Sequence, residues 1–390
     1  MKIQLRSKLR NRFLGLKQNI IGRIDPRPRV IIFIVCYPTF SETYMHEEIR
    51  SLYKDYNIKI ITYRTSNKPR RDPFPFQVIE YKDRCLVYKP IHEINRNFDN
   101  PKQIDFLKKI DSIIEKFKPD FLHAHYFGLG LLLRNLAERH KSPFTLRTHS
   151  MDILSVPNEK IETLCEAVNS PFCLRVLTFP AFRDFLVGHG LQSDKVATCW
   201  PVINFTRFYK PDLKSPTGRV LCAGPAIKKK AHTDFVDLAK IMQGKNISFD
   251  LYASGSYLEF TNTYNKNAGN VINIKYADPD DMPDIYPKYD WLVYTSDPKI
   301  NKVGFPVSIA EAQASGVGVC WQELPGRKEE QLEFMGNAGF IFKNVEELPP
   351  ILSQPFSEDM RISALENARK CDIEQHKNIL TDSWMNITRN

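Results

Sequence analysis

From Val30 onward the chain repeats one pattern, a short apolar run, a loop and then an amphipathic stretch, and this alternation limits the folds open to it. Val30-Ile31-Ile32-Phe33-Ile34-Val35-Cys36 offers no polar side chain to water on either face, which is the condition of a strand inside a parallel sheet. After a turn at Tyr37-Pro38-Thr39-Phe40-Ser41, the pattern predicts a helix from Glu42 to Tyr53. It then predicts strands at Ile58–Tyr63, Phe121–His125 and Phe144–Thr148, with helices at Gln103–Phe117 and Leu129–His140. The rhythm breaks between Pro201 and Pro216, where Pro211, Ser215 and Gly218 accumulate, and a domain junction is expected there. It resumes with strands at Arg219–Ala223, Ser248–Ala253, Val271–Ile274, Trp291–Thr295 and Val317–Trp321, and helices at Thr233–Met242, Pro279–Tyr286 and Val307–Ser315.

At 390 residues the chain exceeds one ordinary core, so the fold class expected is α/β, with two Rossmann-like domains facing a cleft. Their expected bounds are 30–205 and 217–370, and the tail 371–390 carries a helix, Glu374–Ile387, that returns to the first domain. Ligands of open α/β sheets bind beyond the carboxyl ends of the strands, so the chemistry belongs in that cleft.

Residues 1–29 stand apart. They hold nine basic residues, Lys2, Arg6, Lys8, Arg10, Arg12, Lys17, Arg23, Arg27 and Arg29, against the single acid Asp25, within a net charge of +10 for the whole chain. Leu5, Leu9, Phe13, Leu16 and Ile20 fall on one helical face, as in a helix lying on an anionic membrane surface, residues 1–24 being the contact. A solvated basic tail has the same composition, and Gly15 and Gly22 weaken the helix. Aromatics are not interleaved with these charges, so nucleic acid is not an expected partner. No apolar run reaches the roughly 20 residues of a membrane span. The eight cysteines are dispersed without a CxxC pair, which suits reduced thiols in a cytoplasmic protein, peripheral on the inner face of the membrane if the basic segment binds there.

Two segments carry chemistry. Gly224 follows the strand Arg219–Ala223 and precedes Lys228-Lys229-Lys230, so the backbone can approach a ligand closely and Lys229 or Lys230 can neutralise a diphosphate. A triple lysine is also an ordinary solvated face. The stretch Gly304-Phe305-Pro306-Val307-Ser308-Ile309-Ala310-Glu311 is a glycine-bearing loop entering a helix with a carboxylate one turn in. Amides near Pro306, Val307 and Ser308 would hold an anion, and Glu311 would accept from ribose hydroxyls. Asp278-Pro279-Asp280 stands where a helix starts, so it reads as capping chemistry and not as a metal site.

These segments resemble the retaining glycosyltransferases of family 4, which have the GT-B fold. Glu311 matches the second glutamate of the phrase E-G-F-G-x-x-x-x-E-A-M-A-x-G-x-P-V, while Val303 stands where that family has its first. In the phosphate phrase G-R-L-x-x-x-K-G, Gly224 and Lys230 match, whereas Pro225 replaces the arginine and Ala231 the last glycine. Tyr37 to Tyr44 resembles P-x-x-S-E-T-F, Asp120 to Tyr126 resembles D-x-I-H-A-H-F, and Thr148 to Ile153 resembles T-x-H-G-x-D-I. The resemblance implies transfer of a sugar from a nucleoside diphosphate sugar to a glycan or lipid-linked acceptor, with anomeric retention and neither cofactor nor obligatory metal. It implies that His149, Ser41 and Glu42 work at the reacting centre, and that Asp152, His125, Thr43, Lys302 and Gly304 contact sugar or acceptor. It implies donor binding by Gly224, Lys229, Lys230, Pro306, Val307, Ser308 and Glu311, with a lysine such as Lys228, Lys229 or Lys302 compensating for Pro225. A sugar-nucleotide epimerase shares the two-domain fold, though the order of motifs favours transfer, and Val303 and Pro225 keep open a non-catalytic glycan-binding protein of the same fold.

Overall fold

The computed structural model describes residues 25–39, 42–64, 74, 76–78, 101–210, 216–300 and 304–388. The chain divides into unit 1, residues 1–199 with 376–390, and unit 2, residues 200–375. The basic segment 1–24, Ser41, Lys302 and Val303 lie outside the described residues.

Unit 1 is built on β1 (Arg29–Cys36), β2 (Asn57–Arg64), β3 (Phe76–Val78), β4 (Phe121–His125), β5 (Phe144–Arg147), β6 (Cys173–Thr178) and β7 (Val196–Thr198). Their order is β3-β2-β1-β4-β5-β6-β7, all parallel. The apolar run of β1 is buried, as strands with helices on both faces must be. Val30, Ile32 and Ile34 share a core with Met45, Ile49 and Leu52 of the helix Thr43–Leu52. The terminal helix Ile373–Thr388 completes this core from its far end, burying Leu380 and Trp384. The Trp384 ring stacks 5.4 Å from Phe121 and meets Tyr56 edge-on at 5.0 Å.

Unit 2 contains β8 (Arg219–Ala223), β9 (Ser248–Tyr252), β10 (Asn273–Lys275), β11 (Trp291–Tyr294), β12 (Gly318–Gln322) and β13 (Gly339–Phe342), parallel and ordered β10-β9-β8-β11-β12-β13. Val220, Leu251, Val293 and Cys320 form its core with Phe235, Val236 and Ala239 of the helix His232–Ile241. Unit 2 begins at Trp200 because that ring packs on Phe305 and Phe334, at 5.4 and 5.2 Å.

Two expected elements differ. The helix predicted over Pro279–Tyr286 is three short pieces, turns at Pro279–Asp281 and Tyr286–Lys288 around a single helical turn, Met282–Ile285. Pro279, Pro283 and Pro287 each remove a donor from the ladder a longer helix would need. The strand predicted at Val271–Ile274 is Asn273–Lys275, because the Asn265 side chain bonds both backbone groups of Ile272 and takes it out of the sheet. Asp278 caps the first of those short turns, at 3.1 Å from the Asp280 amide, and Asp280 pairs with Arg207 at 2.9 Å. Among the described residues all seven cysteines are free thiols, and no helix is long and apolar enough to cross a membrane.

Candidate active site

Each sheet reverses its direction of growth once, between β1 and β4 in unit 1 and between β8 and β11 in unit 2, and such reversals open the crevices where α/β sheets take ligands. Of the described residues singled out from the sequence, those of unit 2 lie around its reversal, and those of unit 1 lie on β4 or in the loops and helix starts after β1 and β5.

In unit 2, Gly224 leaves β8 with φ +144°, a conformation that side-chain-bearing residues rarely adopt. The space that a Cβ would face there is taken by Lys230, whose Nζ lies 4.0 Å from that position. Lys230 is half-buried, stacks its ammonium 3.8 Å from the Tyr294 ring centre and donates to the Tyr294 hydroxyl. Burial, with the charge of Lys229 adding to it, pushes the Lys230 amine down to about 7. The short turn Lys228–Lys230 is tied to the segment after β11, since Thr295 Oγ1 donates to the Lys230 carbonyl at 2.6 Å and the Asp297 amide to the Lys229 carbonyl at 3.0 Å. Ala231 closes that turn with φ 43° and ψ 46°, the left-handed region, at the position where the resembling phrase has glycine.

Past β11, Gly304 leads through Pro306, at the cap position, into the helix Val307–Ala314. The first amides of a helix have no acceptor within it, so Val307 and Ser308 present donors at its start. Glu311, one turn in, is buried and accepts from the Tyr286 hydroxyl at 2.9 Å. Tyr286 escapes sequence reasoning; nothing in its local pattern marks it. Its hydroxyl is pushed well up by burial and by the Glu311 carboxylate, so it donates to that carboxylate and remains neutral. Gly316 ends the helix at φ 69°, letting the chain turn into β12.

In unit 1, Glu42 stands just before the helix Thr43–Leu52 and joins the two sides of the reversal: its carboxylate accepts from Tyr126, just after β4, and from Thr39 Oγ1 at 2.7 Å, just after β1. Thr43, the first residue of that helix, is partly exposed beside it. His149 follows β5 and caps the five-residue helix Ser150–Leu154. Its amide donates to Asp152 Oδ1 at 2.7 Å, and Asp152 Oδ2 accepts from the Phe127 amide, so one carboxyl ties the loop after β5 to the loop after β4. Burial pushes that carboxyl up to about 7 against these hydrogen bonds. The His149 ring sits between Tyr44, at 4.9 Å, and Tyr126, at 4.8 Å, and its Nε2 is 3.3 Å from His125 Nδ1. Burial, with the neighbouring His125 and Arg147, holds it well below the usual imidazole range.

His125 was expected among the residues touching sugar or acceptor. It is 0% exposed, and its ring is enclosed by His149, His123 and Glu48, so it has no face left for a ligand. Glu48 is a residue that the sequence reading passed over. The signal was present: Met45, Glu48, Ile49 and Leu52 share one face at helical spacing, which puts a carboxylate among the core-facing residues.

A family model described as glycosyl transferase 4-like matches residues 34–171. No curated protein sequence matches the chain. Among solved structures, HepE of Anabaena in complex with UDP aligns with a TM-score of 0.69 at 12% identity over 92% of this chain and 100% of that one. A glycosyltransferase of Rickettsia africae aligns at 0.66 and 16% identity, over 93% and 99% of the two chains. Sucrose-phosphate synthase of Thermosynechococcus elongatus aligns at 0.66 and 13% identity over the same shares. Likeness at such low identity speaks for architecture, and the architecture is GT-B, two Rossmann-like units in one chain.

Proposed function

We propose that this protein is a glycosyltransferase that moves a sugar from a nucleoside diphosphate sugar to a glycan or lipid-linked acceptor with retention at the anomeric carbon, in the synthesis of a cell-surface polysaccharide or glycoconjugate. The observation that carries the reading is the pairing at the β8/β11 reversal: Lys230 lies along Gly224, and the helix bearing Glu311 begins just beyond β11. A cation, helix-start amides and a carboxylate suit a diphosphate and a ribose together. HepE, of like fold, was crystallised with UDP and with UDP-glucose, so uridine diphosphate sugars are the first donors to test.

In this reading Gly224, Lys229, Lys230, Pro306, Val307, Ser308 and Glu311 bind the donor, one of Lys228, Lys229 and Lys302 stands in for the missing arginine, and Lys302 and Gly304 adjoin the sugar. The leaving diphosphate is stabilised by lysine and helix amides without an obligatory metal, a role worth several kcal/mol in sites of this kind. His149 contacts the transferring sugar, Ser41, Glu42 and Thr43 border the acceptor, and Asp152 holds the His149 loop in place. His149, kept neutral by burial, serves by contact and not as a cationic acid. Residues 1–24 rest on the anionic inner face of a membrane, where a lipid-linked acceptor would be met.

Incubation with UDP, GDP, ADP and CMP sugars, with and without acceptor glycans, tests the reading. Acceptor-dependent release of nucleotide with an α-linked product from an α-linked donor is the expected result. Interconversion of the sugar without release would indicate an epimerase, and binding without turnover a glycan-binding protein; either would overturn the proposal.

A further inference from the structure

Beneath His149 lies a closed group of polar side chains that the transfer reaction does not itself call upon: Glu48, His123, His125, Arg147 and His376, each between 0% and 3% exposed. Around it the Glu48 carboxylate, which can only accept when ionised, decides where the hydrogens of the neutral rings sit.

One branch starts at Trp384, whose indole N–H can only donate. It donates to Thr145 Oγ1 at 3.1 Å. The threonine hydroxyl, whose hydrogen rotates to suit, meets His123 Nδ1 at 2.8 Å and can donate to that nitrogen when it is bare. His123 Nε2 stands 3.0 Å from Glu48 Oε1, and an ionised carboxylate can only accept. A second branch reaches the other oxygen: His376 Nε2 meets Glu48 Oε2 at 2.5 Å, and Arg147 Nη1 stands 2.7 Å from His376 Nδ1 and 2.8 Å from its Nε2, donating to the ring nitrogen that is bare. Burial disfavours the Glu48 charge, yet His125 and His376 hold its carboxyl well below the usual range.

The third branch leads to the site. His125 Nε2 is 3.2 Å from Glu48 Oε1. Burial keeps His125 neutral, so a hydrogen on Nε2 leaves Nδ1 bare. That bare nitrogen is 3.3 Å from His149 Nε2, which must therefore carry the His149 hydrogen. The remaining nitrogen of His149 is left as an acceptor, as its capping of the Asp152 amide requires.

We propose that Glu48 is a positioning residue for His149, fixing through His125 which ring nitrogen of His149 carries its proton and which way the ring faces. The inference rests on the reading that His149 meets the sugar. The two Nε2 contacts to Oε1 are bent from the ideal hydrogen-bond line, so a metal ion shared by Glu48, His123 and His125 is the competing account. It fits less well: a metal needs both Nε2 atoms bare, which would make Thr145 Oγ1 accept from both Trp384 and His123 Nδ1. It would also leave a dication and the Arg147 guanidinium against one carboxylate in a dry core.

The test is nitrogen-15 NMR of the histidine rings in the full chain, together with sugar transfer and calorimetric UDP binding. In the unaltered protein His123, His125, His149 and His376 should all show the Nε2–H form. Glu48→Gln, which keeps the shape but can donate as well as accept, should give His149 a mixture of the two forms. It should also lower kcat at least tenfold while changing the UDP dissociation constant less than twofold. A role confined to folding would lower the melting temperature and leave the His149 form alone. If Glu48→Gln does not fold, His125→Gln, which keeps a group near Nε2 but none at Nδ1, should produce the same mixture. A His149 ring in the Nδ1–H form, a His149 form unchanged in the variant, or one equivalent of zinc in the purified protein whose removal shifts the His123 and His125 signals would each overturn the proposal. The NMR result stands without any transfer assay, so a protein that transfers no sugar would overturn the functional reading separately.

Discussion

Lys230 runs along the side-chain face of Gly224, its Nζ 4.0 Å from where a Cβ would stand, and its ammonium rests on the ring of Tyr294. Burial, with the charge of Lys229 beside it, leaves the amine partly uncharged near neutral pH, at about 7 where a free lysine has 10.5.

A diphosphate brought beside this amine should restore the charge. Binding of UDP at pH 8 should thus be accompanied by proton uptake of a substantial fraction of one equivalent, read from calorimetry in buffers of different ionisation enthalpy. Lys230→Met should abolish the uptake and weaken binding on the order of tenfold or more. Binding of equal strength with no proton exchanged would remove Lys230 from the phosphate site.

Glu311 should matter to the nucleotide and Tyr286 should matter through Glu311. Glu311→Ala is expected to weaken UDP binding by about 1–3 kcal/mol, the range of hydrogen bonds to a charged group. Tyr286→Phe, which removes the 2.9 Å bond but leaves the carboxylate, should have a smaller effect. An unaltered affinity in Glu311→Ala would show that the carboxylate lies off the ribose.

For His149 the expectation concerns the sugar and the transition state. His149→Ala should reduce turnover on the order of 10²-fold with little change in affinity for bare UDP, because a contact made to the reacting sugar is absent from the nucleotide complex. Full activity in the variant would dismiss the assignment.

Ala231 holds a left-handed conformation that glycine adopts without steric cost. Ala231→Gly should therefore raise stability by about 0.5–1 kcal/mol, the strain relieved exceeding the extra freedom gained by the unfolded chain. Urea denaturation would check it, and a loss of stability would mean that the strain is negligible.

Acid should destabilise the fold well above the carboxylate range. His125 and His149 are held below 6.5, His376 at about 4 and His232 at about 3, chiefly by burial. As pH falls below 6.5 the unfolded chain binds protons that these rings refuse, so their stabilisation, complete above 6.5, is progressively lost. Asp152 and Asp234 are raised and act in the opposite sense, the native state keeping a proton that the unfolded chain gives up. Four rings outweigh two carboxyls, and the melting temperature should drop steadily from pH 6.5 to 4.5. A flat profile would contradict this.

Much of the architecture could be read before any coordinates, since β1 announces itself by seven consecutive residues with nothing to show to water, and β5, β8, β11 and β12 by shorter versions of the same signal. β7 could not, because three half-exposed residues at a sheet edge carry no periodicity. The broken stretch from Pro279 to Lys288 was misread because its apolar spacing is helical while its prolines forbid the ladder. Gly224, Lys230 and Glu311 were visible because loop glycines and helix starts have local signatures. The Tyr286 to Glu311 bond and the Glu48 group were not, since they join residues 25 to 328 positions apart, and a single sequence holds no record of such meetings.

The terminal helix supplies Leu380, Trp384 and His376 to a unit whose first strand is made some 340 residues earlier, an interval bounded by Arg29 and Ile373. During synthesis, unit 2 has its whole sequence available while unit 1 still lacks the side chains that cover Phe121 and bond Thr145 and Glu48. A chain stopped by a nonsense codon anywhere from position 376 to 384 would carry every loop of the candidate site and yet lack Trp384, leaving the floor beneath His149 unfinished. The half of the molecule that emerges first from the ribosome is the half that closes last.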